Sequence, residues 1–181
     1  MAWSTPLTAV SNAALTAAQW NASVRDNLLE TVPAKATAAG QFFVATGANA
    51  IAARTPSSAF IATAQTTATI TAYTDLATVG PQVTVTTGTR AMVVLSAAIQ
   101  NSSAAGGGNM GYTVTGASSL LVNDSTALRV RPAAANAPER KSVVTFETGL
   151  TAGTNTFTAK YTTPTGGTAT FSDRELFVLP F

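Results

Sequence analysis

Eight carboxylates are the only acidic side chains in this 181-residue chain: Asp26, Glu30, Asp75, Asp124, Glu139, Glu147, Asp173 and Glu175. No histidine or cysteine accompanies them. Glycoside hydrolysis needs two carboxyl groups facing each other about 5–10 Å apart, and no spacing here marks such a pair. Asp75 and Asp124 stand beside turns, where aspartate bonds its own backbone. Asp173 falls between two terminal strands and shapes their connection, and Glu147 reads as the solvent side of a strand. Without histidine, the commonest general base near neutral pH and the commonest metal ligand are both missing. Zinc held by carboxylates alone is an unusual site. Lys141 precedes Ser142, but adjacent strand residues point to opposite faces, so they form no Ser-Lys pair. The run AAGGGNMG (104–111) lacks the Lys-Ser/Thr of a phosphate-binding loop and reads as a flexible hairpin loop. The expectation is a protein that is not an enzyme and holds no cofactor or metal.

The remaining candidate for recognition is LRVRPAAANAPERK (128–141). Arg129 and Arg131 share one face of a strand, and Arg140 and Lys141 begin the next. Such a cluster could meet an anionic surface such as a cell-wall polymer or a capsid, but the favoured reading is a solvated loop flanked by strand-end charges. Only 10% of residues are charged, with a net charge of +2. No Lys/Arg run exists, so no nucleic-acid partner is expected. No apolar run approaches the roughly 18–20 residues that cross a bilayer, and MAWSTPLTAV lacks the features of a signal peptide. A soluble protein made in the cytoplasm is therefore expected, with no membrane partner. A surface so poor in charge is either buried between subunits or covered by Thr and Ser hydroxyls.

Three regions must position these groups. Residues 1–39 form an extended arm and a helix. Within the arm, Trp3 and Leu7 are candidate pegs for a partner surface. In LTAAQWNASVRDNLLE (15–30), Thr16 and Gln19 make a capping box, with Leu15 and Trp20 at the positions of a hydrophobic staple. Trp20, Val24 and Leu28 form a narrow apolar stripe, and Pro33 stops the helix. About 15 residues is marginal for an isolated helix, so this one must dock. Residues 40–60 form a small strand-turn linker unit: Phe42 and Val44 share a face, TGAN (46–49) is a turn, and a second strand begins at Ile51. So small a unit needs neighbours.

Residues 61–181 read as a β head. Strands are expected near 61–67, 71–76, 81–86, 90–100, 110–115, 126–131, 141–149, 154–161, 168–172 and 174–179. RAMVVLSAAIQ (90–100) is apolar enough to be buried on both faces. NTFTAKYT (155–162) alternates Phe157, Ala159 and Tyr161 against Thr156, Thr158 and Lys160. The aromatics of the head are expected to look mostly inward. The fold class is mainly β: a sandwich or jelly roll with an N-terminal arm, one short helix and a linker hairpin. Large side chains are few, so contacts between subunits are expected to add stability.

Two motifs carry a family resemblance. LTAAQWNASVRDNLLETVPAKA (15–36) resembles a segment near the N-terminus of many bacteriophage virion proteins, with the skeleton L-T-A-x-x-W-N-x-x-V-R-D-N-L-L. GQFFVATGANAIAARTP (40–56) resembles a second element of the same proteins. These are similar to tail-fibre, minor tail and head-decoration or head-fibre proteins of the actinobacteriophage kind. The chain's end, ATFSDRELFVLPF (169–181), also resembles the closing strand of trimeric jelly rolls of the tumour-necrosis-factor and C1q type. The resemblance implies a virion location and a homotrimer bound to other virion proteins, with a host-surface glycan as a further possible partner. It marks Trp20, Val24, Arg25, Asp26, Asn27 and Leu28 as the attachment signature. On that view Arg25 and Asp26 pair between neighbouring chains, and Asn27 bonds backbone beside the helix. The expected function is capsid decoration or a head fibre. The alternatives are a minor tail or tail-fibre protein binding host glycans, or a stand-alone carbohydrate-binding module.

Overall fold

The computed structural model describes residues 4–8, 10–31 and 35–181. Trp3, Val32 and Pro33, where the sequence suggests a peg and a helix stop, lie outside the described residues. The chain divides into two compact units, Met1–Thr55 and Pro56–Phe181.

In the first unit a helical run passes through α1 (Ala17–Trp20), a π turn (Asn21–Arg25) and α2 (Asp26–Leu28). The Thr16 side chain accepts from the Gln19 backbone at 3.2 Å, and the Gln19 side chain accepts from Thr16 N at 3.0 Å, closing the capping box. A strict four-residue repeat drifts by about 40° per step on a 3.6-residue helix. The wider π turn takes up that drift. Strands β1 (Phe42–Gly47) and β2 (Ala50–Arg54) form an antiparallel hairpin. Its turn places Asn49 at φ 55°, a left-handed conformation that asparagine tolerates better than most residues.

The second unit is a sandwich of two antiparallel sheets. One sheet has the order β5 (Gln82–Thr87), β10 (Gly153–Thr162), β7 (Gly108–Gly116), β8 (Leu128–Val130). The other has the order β3 (Ser57–Ile61), β11 (Ala169–Pro180), β6 (Ala91–Asn101), β9 (Glu139–Glu147), with β4 (Gln65–Thr67) also on β11. Alternation fills the core: Phe157, Ala159 and Tyr161 of β10 meet Val93, Leu95 and Ile99 of β6 and Phe171 and Leu176 of β11, all fully enclosed. The Tyr161 and Phe171 rings meet edge to face at 4.9 Å.

Each pole is tied by a buried asparagine. Asn101 donates to Gly107 O (2.9 Å), Thr163 Oγ1 (3.1 Å) and Gly166 O (3.2 Å), and accepts from Ser103 N at 2.8 Å. Asn155 accepts from Ser118 N at 2.7 Å and donates to Thr87 Oγ1 and Thr151 O. The Gly-rich loop, read from sequence as flexible, is instead packed. A Cβ on Gly106 would lie 2.1 Å from Asn101 Oδ1, so glycine is required there by close approach.

Several strand expectations are corrected. Residues 71–76 make a single bridge, Thr74 to Tyr161, because Leu76 turns into the core and Asp75 turns to Lys160. The two terminal strands are one, β11, interrupted by a bulge between Ser172 and Glu175, where Asp173 takes φ 48°. Glu147 is not solvent-facing but half-buried, and it accepts the Tyr112 hydroxyl at 2.5 Å. β6 is fully buried on one face only.

Candidate functional site

The first unit builds a clasp from the helix and the arm. Asn27 is buried. Its Oδ1 accepts from Ser4 N (2.9 Å) and Ser4 Oγ (3.0 Å), and its Nδ2 donates to Ser4 O (3.2 Å) and Ser23 O (3.1 Å). Ser4 Oγ also reaches Ala22 O, and Leu7 N donates to Ser23 Oγ at 2.6 Å. The polar side of the helix is thus spent on holding the arm. Its apolar residues stay outside: Trp20 is 56% and Leu28 59% exposed, with Leu15, Leu29 and Leu7 also exposed and Val24 half-buried. Arg25 and Asp26 pair with each other, Nε to Oδ1 at 2.8 Å. The arm clasp was not legible beforehand, because a single Ser4 carries no pattern.

Glu30 closes the helix end against Lys35, with Oε2 to Nζ at 2.8 Å. The hydrogen bond from Lys35 holds this carboxyl below its ordinary pKa. A carboxyl depressed in the fold contributes stability above its unfolded pKa of about 4.3, and loses it as pH falls through the lower folded value. Both tryptophans, Trp3 and Trp20, belong to this unit, so their emission reports it. The emission is expected to change on acidification below about pH 4.3. Lys35→Gln is expected to flatten that dependence.

In the second unit a cleft of about 750 Å³ opens at the sandwich edge between β8 and β9. It gathers Arg129, Arg131 and Lys141 with Asp124 and Glu139. Arg140 is left out, since it lies opposite Ala98 on the other face of β9, 3.9 Å from Glu175. Arg129 sits 3.2 Å from Asp124 Oδ2 and Lys141 3.3 Å from Glu139 Oε2, so two of the three cations are neutralised locally. Tyr73 donates to Asp124, and its hydroxyl is pushed above its ordinary pKa, first by burial and then by that carboxylate. Among the described residues the cleft therefore offers one cation without an ion pair, Arg131, and paired charges around it. Among the described residues no group of three or more His, Cys, Asp or Glu side chains is placed to hold a metal.

The two outer faces of the sandwich differ in kind. On β5, β10 and β7 the registers Thr86–Thr154 and Thr84–Thr156–Thr115 lie side by side, with Gln82–Thr158–Thr113 next to them. Thr84 and Thr156 share a hydrogen bond of 2.8 Å, and Gln82 donates to Thr158 at 2.9 Å. On the other sheet part of the outward side is apolar, beside polar rows that include Ser96, Ser142, Arg140 and Glu175. Phe60 and Phe146 are exposed and Phe177 and Phe181 half-exposed, while Tyr112, Phe157, Tyr161 and Phe171 are buried, so the expectation of inward aromatics holds for half of the head's rings. A scan against protein-family models and a search of curated proteins find no match to this chain.

Proposed function

We propose that this is a structural protein of a bacteriophage particle. The first unit anchors it, and the sandwich is displayed as a non-enzymatic, cofactor-free head. Its role is capsid decoration or a head fibre, it works as a homotrimer, and its site is the virion, after synthesis in the host cytoplasm. One observation carries the reading. A well-capped helix holds its own arm on its polar side and leaves Trp20, Leu28 and Leu29 uncovered. Such a stripe on a short helix calls for a docking partner, and another virion protein supplies one.

Trp20→Ala with Leu28→Ala removes exposed apolar area without opening the clasp around Asn27. The double variant is expected to be missing from purified particles, scored by immunoblot against the wild-type chain. Normal incorporation would overturn the anchor.

A second reading, a tail-fibre or carbohydrate-binding head, is favoured by the cleft with Arg131 at its lip. Glycan-array binding that Arg131→Ala abolishes would establish it.

A further inference from the structure

β6 carries apolar side chains on both faces, yet the sandwich encloses only one. Ala91, Val93, Leu95, Ala97 and Ile99 are fully buried, while Met92, Val94, Ser96 and Ala98 are half-exposed. Strand register extends this uncovered side across the sheet. Phe177, Val94 and Val144 form one row, and Leu179, Met92 and Phe146 form the next. The Phe181 ring lies 5.5 Å from that of Phe146, and Phe60 stands at the β3 edge. Val144 is 61%, Phe146 54% and Phe60 55% exposed. Neither row contains a charged side chain.

We propose that this apolar face is the surface by which copies of this chain associate. The proposal deepens the homo-oligomer reading above and rests on its self-assembly part alone, not on attachment to a particle. Three features select a second copy as the occupant. The exposed parts of these side chains sum to on the order of 500 Å² of apolar surface. Each partner in a standard interface contributes about 800 Å², a little over half of it apolar. The rim of the face holds charges of both signs, Arg140 beside Glu175 at one end and the exposed Arg90 next to Phe181 at the other, so it calls for no strongly charged partner of one sign. The patch also runs to an open strand edge. Among the described residues β9 pairs with β6 alone, and Glu139, Arg140 and Lys141 guard the start of that edge, while Val143–Phe146 carries no charge. A sugar ring would find no hydrogen-bonding side chain in either row.

Light scattering after size exclusion tests this on the full chain. The wild type is expected to show the mass of several chains, three on the reading above. Val144→Lys with Phe146→Lys places two like charges on the face at exposed positions. It is expected to fall to the single-chain mass of 18.3 kDa, a threefold drop from a trimer, with its far-UV signal unchanged. Thr84→Lys with Thr115→Lys, on the opposite face, is expected to keep the wild-type mass. A monomeric wild type at micromolar concentration would overturn the proposal, as would a Val144/Phe146 variant that keeps the wild-type mass. The Trp20/Leu28 variant separates the two readings. Lost incorporation at unchanged mass assigns attachment to the helix and leaves the sheet face as the joint. If that variant is itself monomeric, the helix joins the copies and the sheet-face proposal falls.

Discussion

Asn101→Ala is expected to destabilise the second unit by about 3–4 kcal/mol, lowering the melting temperature by roughly 10–20 °C. The side chain is fully enclosed at the end of β6 and serves three backbone groups at once, on two separate loops. Removing it leaves Ser103 N without its acceptor. Gly107 O and Gly166 O then share the single Thr163 hydroxyl, which already lies 2.9 and 3.1 Å from them. Each buried group left unpaired costs about 1–3 kcal/mol. Asn101→Asp separates hydrogen bonding from volume. It keeps an acceptor for Ser103 N but turns a carboxylate oxygen towards two carbonyls. It is expected to be at least as damaging as alanine. Thermal melts followed by circular dichroism decide the matter, and a loss below 1 kcal/mol for either variant would refute the role given to Asn101.

Arg174 yields the second large effect and a contrast in sign. It is fully buried in the β11 bulge, with Nη1 3.4 Å from Gly80 O and Nη2 3.3 Å from Thr63 O and 3.2 Å from Gln65 Oε1. Its guanidinium carbon lies 5.4 Å from the centre of the Tyr161 ring. These oxygens and the ring face stand in for a carboxylate. Burial raises the Tyr161 hydroxyl above its ordinary pKa, so it stays protonated and donates to Gly80 O at 2.8 Å. Arg174→Ala empties a volume larger than a leucine and is expected to cost about 4 kcal/mol. Arg174→Met refills most of that volume and removes a buried charge that has no anion beside it among the described residues. Such replacements are often neutral or stabilising, so the change is expected to stay within about 1.5 kcal/mol of wild type. Chemical denaturation of both variants measures the difference. If methionine costs as much as alanine, the oxygen contacts, not the filling of space, hold this corner together.

What the sequence reveals about this fold tracks how local its cause is. The capping box of Thr16 and Gln19 is a four-residue pattern, and it forms as the pattern says. The alternation in NTFTAKYT decides which side of β10 is core, since Phe157, Ala159 and Tyr161 leave no other choice. The same reasoning misplaces β9. Val143, Thr145 and Glu147 turn inward, while the apolar Val144 and Phe146 turn out. Alternation reveals two faces but not which is covered when both are partly apolar. Glu147 is held inward by Tyr112, 35 residues earlier in the chain, a partnership no window contains. Burial raises the pKa of the Tyr112 hydroxyl, with Glu147 adding to it. Asn101, Asn155 and Arg174 were invisible for a similar reason, because each also binds groups far away in the chain: Thr163 and Gly166 for Asn101, Thr87 and Ser118 for Asn155, Gly80 and Thr63 for Arg174. The basic cluster was half legible. Its spacing brings Arg129, Arg131 and Lys141 to one cleft, but Arg140 sits one residue away from Lys141 and so falls on the opposite face.

The threonine-covered face of β5, β10 and β7 has a consequence for behaviour in bulk solution. Hydroxyl groups bind water without setting up a field, so there is little for dissolved ions to screen, whether the Debye length is about 30 Å in dilute buffer or about 3 Å in molar salt. Two such faces approaching each other meet neither the long-range repulsion of like-charged surfaces nor the adhesion of apolar ones. Their closest approach is set by the hydration layer that each hydroxyl row holds in place. Encounters made through this face are therefore expected to depend little on ionic strength.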